Sequence, residues 1–414
     1  MRVLHVSHSL QAGGAARAAS RLDAALNEHH INSLVLTPDG LYRSGKSIER
    51  AGSLSRARSQ ISKVAEIRLA SAVLPNDQTH RTLGVLPSGL PKRIRSLQPS
   101  VINLHWLGFG TLSVRQIARL SGPVVWTMHD EWPLLASQHY RSTEAPTNAA
   151  RLEGGMAAFR NQADIDVRRR KLRSWTRPRL IVAPSSWLRQ EARKSAITAN
   201  WPSRVIPNAL PTHLFRPMSR EVARSALGIS DDGPVALFGA LGGGSDPRKG
   251  WDLLEMALGR LRSGGVQLRV VTFGGVDFRK SIAGFPHLGL GPLADDLSLA
   301  LAYNAADVMI VPSRLDNLPQ TATEAQSCGT PVVAFRAGGM EDAVEHGRTG
   351  YLAEAWSIED LARGVTTVLD ARTGSGLRQA ARDRAVRLWS EDVIAREYAR
   401  TYEELIRGYV HGGG

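Results

Sequence analysis

The segment from Val308 to Phe335 reads Val308-Met309-Ile310-Val311-Pro312-Ser313, then Asp316-Asn317-Leu318-Pro319-Gln320, Glu324-Ala325, and Cys328-Gly329-Thr330-Pro331-Val332-Val333-Ala334-Phe335. An apolar run ends in a polar loop, a short helix follows, and a second apolar run closes the unit. This is the pattern of a parallel strand, a crossover helix and the next strand. Asp316 and Glu324 fall in the loop and the first turns of the helix. A helix start attracts phosphate through its free N–H groups and its dipole. Carboxylates placed there suit the hydroxyls of a sugar or ribose, and the combination points to a nucleotide-sugar site.

The same alternation extends outward in both directions. In the N-terminal half the apolar runs are Val3–Val6, Ser33–Leu36, Val101–Leu104, Val124–Met128, Leu180–Ala183 and Arg204–Ile206. In the C-terminal half they are Val235–Gly239, Leu268–Phe273, Val308–Val311 and Val332–Phe335. Strands alternating with helices imply parallel sheets covered on both faces. Two such series predict an α/β chain of two doubly wound, Rossmann-like domains. Prolines 207, 211 and 217 halt both helix and central strand, so 207–217 reads as a hinge. The expected division is 1–206, the hinge 207–217, 218–388, and a C-terminal helix over 389–411 packing back toward the N-terminal domain.

The 414 residues and 43% apolar content fit a globular protein of two domains. One cysteine, Cys328, excludes an intramolecular disulfide and a multi-cysteine metal site; it reads as a buried structural thiol. No apolar run reaches the roughly 20 residues of a membrane span, and the chain enters a strand at Arg2 without a signal-peptide pattern. A cytoplasmic location is expected, with peripheral attachment to the inner face of the cytoplasmic membrane as a further option. Charge is uneven: residues 1–216 hold 31 Lys and Arg against 13 Asp and Glu, whereas 217–414 hold 21 against 25. The basic half is expected to meet an anionic surface, a lipid leaflet or a phosphate-linked lipid. Nucleic acid is not expected, because no nucleic-acid-binding motif is present. The run Arg168-Arg169-Arg170-Lys171-Leu172-Arg173 reads as a solvated or membrane-facing helix face.

Ligands of such sheets bind beyond the carboxyl ends of the strands, and polar residues follow several strands here. Gly13-Gly14 permits close backbone approach to a ligand, although a full dinucleotide fingerprint is absent. His129, at the end of a strand, is the candidate to orient or deprotonate a hydroxyl. His105 and Asp130 are acceptor-side candidates. Arg248-Lys249-Gly250 places two cations beside a helix start, where the dipole disfavours them; a diphosphate ligand supplies a reason. Gly291-Pro292-Leu293 is a turn whose backbone is placed to read a base edge. No metal-ligand cluster is seen.

These residues carry a resemblance. The chain resembles a retaining glycosyltransferase of the GT-B fold, family 4, through Gly13-Gly14, His129-Asp130, Pro207-Asn208, Arg248-Lys249-Gly250, Tyr303 with Ala306-Asp307, and the Pro312-Ser313 to Val333 unit. The segment from His129 to Tyr140 is similar to transferases that build bacterial exopolysaccharide or lipopolysaccharide. The resemblance implies two domains facing across a cleft and a nucleotide-sugar donor, UDP- or GDP-linked rather than ADP-linked. It implies a saccharide or lipid-linked saccharide acceptor and no cofactor or metal. It assigns Lys249 to the leaving diphosphate, Glu324 to ribose, and Asp316 with Asn317, Leu318 and Pro319 to the donor sugar. His129 would lie by the reacting sugar and Gly14 by donor or acceptor.

Three departures stand out. Asp316 replaces the first glutamate of the family's Glu-x7-Glu. Gly244 stands where the family has an arginine, a place Arg248 is a candidate to fill. Cysteines found near the His-Tyr segment of envelope relatives are missing. Two other readings stay open: a nucleotide-sugar epimerase or hydrolase of the same architecture, and a non-catalytic nucleotide-sugar-binding protein.

Overall fold

The computed structural model describes the chain except residues 11–12, 75–79, 142–153, 230–232, 241, 243, 276–278, 372–375 and 413–414. The stretch after Arg141 up to residue 153, and the last two glycines, therefore lie outside the described residues. The chain divides into two compact units, Met1–Ile206 with Ile394–Gly414, and Pro207–Val393.

The first unit is built on eight strands: β1 (Arg2–Val6), β2 (Asn32–Thr37), β3 (Gly40–Arg43), β4 (Lys46–Arg50), β5 (Val101–Leu104), β6 (Val124–Thr127), β7 (Leu180–Ala183) and β8 (Ser203–Val205). Their order is β4-β3-β2-β1-β5-β6-β7-β8. Pairing is parallel from β2 to β8, and β2-β3-β4 is antiparallel. All residues of β5, β6 and β7 are buried, as expected of strands covered by helices on both faces. The antiparallel edge went unread in the sequence because β4, Lys-Ser-Ile-Glu-Arg, is wholly exposed. Its charges protect a sheet edge and carry no apolar alternation.

The second unit has seven strands: β9 (Val235–Gly239), β10 (Arg269–Phe273), β11 (Ser281–Ile282), β12 (Phe285–Gly289), β13 (Val308–Val311), β14 (Val332–Phe335) and β15 (Gly350–Ala353). The order is β11-β12-β10-β9-β13-β14-β15. Ala283 and Gly284 both have positive φ, 49° and 81°, and close the β11–β12 hairpin as a two-residue turn. In each sheet the strand order reverses beside the first strand, at β1/β5 and at β9/β13. These are the topological switch points at which such sheets bind ligands.

The expected hinge is anchored in the second unit. Leu210 N–H donates to Trp389 O at 2.9 Å, Phe215 is fully buried, and Arg382 donates to Thr212 O and Phe215 O. The prolines exclude regular structure there, yet backbone carbonyls still bind side chains. The C-terminal helix, Glu391–Gly412, starts in the second unit and continues in the first. There Tyr402 OH accepts from Asn103 Nδ2 at 2.7 Å and Tyr398 OH lies 3.0 Å from Thr127 Oγ1. The basic run falls on the helix Gly154–Ser174. Arg168, Arg169 and Arg173 are exposed, but Lys171 is fully buried, which corrects its reading as part of a surface face. Cys328 is buried, and burial raises its thiol pKa, with the Glu324 charge adding to the effect.

Candidate active site

In the second unit the polar cluster sits where β9 and β13 end. Pro247–Lys249 is a short 3-10 turn, followed by Gly250 at φ 68° and the helix Trp251–Ser263. Gly250 is obligatory: a Cβ would meet Pro312 O at 2.0 Å, and its left-handed φ disfavours side chains. Arg314 ties the turn to the loop after β13. Its N–H donates to Arg248 O at 2.7 Å, its Nη1 to Pro247 O at 2.9 Å, and it pairs with Asp252 at 2.5 Å. The result is a contact between the expected phosphate and sugar residues: Lys249 Nζ donates to Asp316 Oδ2 at 2.5 Å. One of three ammonium protons is used there, leaving two for oxygens of a ligand.

Asp316 is held by its backbone. Gly339 N–H donates to Asp316 O at 2.9 Å, and a Cβ on Gly338 would strike that oxygen. Asn317 N–H caps Asp316 Oδ1 at 3.0 Å. Leu318 packs in the core, and Pro319 precedes the helix Gln320–Ser327. Glu324, 1% exposed, accepts from Tyr303 OH at 2.7 Å. Gly291 continues a backbone ladder across the strand ends: Gly242 N–H to Gly274 O and Gly274 N–H to Gly291 O, both 2.8 Å. Pro292 and Leu293 follow it.

Arg248 is turned onto Asp246, at 2.5 Å. The absence of a side chain at residue 244 has a steric reason: a Cβ there would lie 2.7 Å from Trp251 Cγ. The indole, covered by the Arg279 guanidinium at 5.0 Å, occupies the space of a larger residue.

In the first unit, Gly13 has φ 88° and caps the helix Gly14–Glu28; a Cβ there would meet nothing within 4 Å. Gly14 is the first helical residue after it. His129 follows β6 and ends a file of imidazoles. His5 Nδ1 lies 2.8 Å from His105 Nε2, and His105 Nδ1 lies 2.9 Å from His129 Nε2. His5 Nε2 is buried without a hydrogen-bond partner among the described residues. A buried orphan N–H is rarer and costlier than an idle lone pair, which assigns the protons outward. His5 Nδ1–H donates to His105 and His105 Nδ1–H to His129, leaving His129 with its proton on Nδ1, a donor. His105 is 2% exposed and lies between His5 and His129, so its ring is enclosed and does not reach the surface.

Asp130 also faces inward. One oxygen takes Trp132 N–H at 3.0 Å and the other binds the His139 ring. Burial opposes its charge, but His139, the Trp132 N–H and His129 hold its pKa below the ordinary carboxylate value. His139 has a further partner in Thr82 Oγ1, at 2.8 Å. Lys171 completes the wall: Nζ donates to the carbonyls of Trp132, Leu135 and Ala136, and lies 4.0 Å from the Trp132 ring centroid. His5, His139, Lys171 and Arg314 were not singled out from sequence for these tasks, because each acts through partners far along the chain.

Burial lowers the pKa of His5 to about 3 and of His129 to about 4, with Asp130 opposing at His129; burial also holds His105 low, as do His5 and His129. These rings stay neutral in the folded state while the unfolded chain protonates near pH 6.5. Stability is therefore complete above about pH 6.5 and falls on acidification, each histidine steepening the loss toward about 1.4 kcal/mol per pH unit. Urea midpoints of the first unit should decline between neutral pH and pH 5, and a His5→Phe variant should flatten the profile. An unchanged slope in that variant would remove His5 from this account.

Two doubly wound units, each with polar residues at its switch point, define the class of the GT-B glycosyltransferases. Residues 12–214 match the family described as "Glycosyltransferase Family 4", and residues 235–371 match "Glycosyl transferases group 1". The chain is 31% identical over 290 residues to D-inositol 3-phosphate glycosyltransferase of Mycobacterium leprae, covering 64% of this chain and 61% of that protein. It thus spans about 61% of the length of that curated relative. Among solved structures, sucrose-phosphate synthase from Thermosynechococcus elongatus aligns with TM-score 0.70 and 20% identity over 98% of this chain and 99% of that one. HepE of Anabaena in complex with UDP-glucose aligns with TM-score 0.61 and 19% identity, over 98% and 100%. The chain belongs to glycosyltransferase family 4 and has the GT-B fold.

Proposed function

We propose that the chain is a retaining glycosyltransferase that moves a sugar from a nucleotide-sugar to a saccharide or lipid-linked saccharide of the cell envelope. The observation that carries this reading is the Lys249–Asp316 pair at 2.5 Å, with Glu324 on the following helix. A cation and two carboxylates at one switch point match a diphosphate bearing two polyhydroxyl groups. In the reaction, the bond from the donor sugar's anomeric carbon to the diphosphate oxygen breaks, and a bond to the acceptor oxygen forms on the same face. The acceptor proton passes to the departing phosphate. Lys249 stabilises the charge that develops there, Asp316 holds the sugar, Glu324 holds ribose, and His129 donates its Nδ1–H to a sugar hydroxyl.

The donor is a substrate, and this chemistry calls on no resident cofactor or metal. A UDP-sugar is the first donor to test, since HepE, of the same fold, is seen with UDP-glucose, and an ADP-sugar is the comparison, since a starch synthase of that fold is seen with ADP. A second acceptor class, a phosphorylated cyclitol, is favoured by the name of the curated relative. A lipid-linked acceptor would place the protein at the inner face of the cytoplasmic membrane. Among the described residues no helix is long and apolar enough to cross one.

A thermal-shift series with UDP-, GDP- and ADP-sugars tests the donor, since a ligand that binds only the native state at a hundred times its Kd adds about 2.7 kcal/mol. A shift with UDP-glucose, together with product formed only when an acceptor is added, is the expected result. Donor conversion without acceptor would favour an epimerase or hydrolase, and binding without turnover on any acceptor a non-catalytic protein.

A further inference from the structure

The helix Ser53–Val73 in the first unit is turned inside out. Its inward stripe is partly polar: Ser62 Oγ is buried without a hydrogen-bond partner among the described residues, and Glu66, fully buried, accepts from Gly84 N–H at 2.7 Å. Ala70 continues that stripe into a small cluster with Leu74, Leu83 and Val167. The opposite face is apolar and open. Ile61 is 70% exposed and Val64 45%, and Ile67 and Leu69 are exposed beside them. At 3.6 residues per turn, Ile61, Val64 and Arg68 share one face, with Ile67 and Leu69 on its two flanks.

Charge on this helix has one sign outward. Arg56, Arg58 and Arg68 are exposed, and none has an ion-pair partner among the described residues. Lys63 lies along the flank, 6.0 Å from the Phe109 ring centroid. The helix's one acidic residue, Glu66, is the one turned inward.

We infer that this face docks on an anionic lipid bilayer. An amphipathic helix with an apolar centre and cationic flanks lies in the interfacial plane, its apolar side chains at the acyl boundary and its cations among the headgroups. A second copy of the chain is the poorer occupant. Face-to-face pairing would set Arg56, Arg58 and Arg68 against their own equivalents with no carboxylate on the helix face to receive them. The surface deepens the reading of a lipid-linked acceptor and rests on it for its purpose, although the binding itself can be measured independently.

The test uses the full chain and two sets of vesicles, phosphatidylcholine alone and phosphatidylcholine with phosphatidylglycerol in equal parts. Co-sedimentation at low salt should show binding to the anionic vesicles and little to the neutral ones. Ile61→Asp and the double variant Arg58→Gln with Arg68→Gln should each weaken it about tenfold or more. All these side chains are exposed, so thermal midpoints and transfer to a soluble acceptor should match the unsubstituted protein. Equal binding to both vesicle types, or unchanged binding by both variants, overturns the proposal. So does a concentration-dependent dimer that Ile61→Asp dissolves. Loss of transfer with retained vesicle binding would instead count against the transferase reading and leave this surface standing.

Discussion

Replacing Lys249 with alanine is expected to lower kcat by about a hundred- to a thousandfold, the usual cost of removing one charge-stabilising donor from a transition state. The ammonium sits at the carboxyl ends of β9 and β13, 2.5 Å from Asp316. In the proposed reaction its charge matters most when the sugar leaves and the diphosphate gains negative charge. Binding of the intact donor should weaken less than turnover, because uniform binding changes KM and transition-state contacts change kcat. The fold should persist: Lys249 is 26% exposed and Asp316 10%, so the abandoned carboxylate remains within reach of water. Steady-state kinetics with UDP-glucose and an acceptor provide the measurement, with circular dichroism as control. A folded variant within threefold of the parent kcat would take the lysine out of the mechanism. Lys249→Arg should recover only part of the rate, since a planar fork does not reproduce a compact point charge.

Lys171→Met is expected to destabilise the first unit by about 3 kcal/mol, because the buried carbonyl of Trp132 and the part-buried carbonyls of Leu135 and Ala136 each lose a donor. The methionine keeps the apolar stem, so the loss isolates the ammonium group. Burial pulls the Lys171 pKa well below the ordinary lysine value against the charges of Asp130 and Asp164, and the Trp132 and Trp175 rings, 4.0 and 5.3 Å away, add cation–π attraction. Urea unfolding measures the effect. Lys171→Arg should not restore stability, because a guanidinium does not fit a cage built for one nitrogen. A loss under about 1 kcal/mol for the methionine variant would show that water or neighbouring donors replace the ammonium, as partial compensation does elsewhere. The segment His129–Tyr140 hangs on this lysine, so a shift in the His129 ring should accompany the loss.

Much of the candidate site was legible because strand ends announce themselves. Lys249, Asp316 and Glu324 each stand at a fixed offset from an apolar run or a glycine turn, and parallel topology forces such offsets to one edge of the sheet. The cluster's meeting in the second unit follows from that rule. The readings of Asp130 and His105 as acceptor contacts met a different outcome. Both do follow strands, but whether a side chain after a strand points outward depends on what competes for it. Asp130 is taken by His139, nine residues on, and by a local N–H. His105 is enclosed by His5 of the neighbouring strand β1 and by His129, which follows β6. Arg248 turns Nη2 of its guanidinium onto Asp246.

Local pattern was enough to establish two α/β units, their inner strands, the glycine turns and the strand-end positions of Lys249 and Asp316. Periodicity and backbone sterics act over a few residues, so a single chain displays them directly. Tertiary structure alone decided which polar groups remain for a ligand: the proton order of His5, His105 and His129, the cage around Lys171, the Arg314 brace and the indole of Trp251 over Gly244. Those outcomes rest on hydrogen bonds and excluded volume between residues distant in sequence, and such contacts leave no mark on spacing or composition.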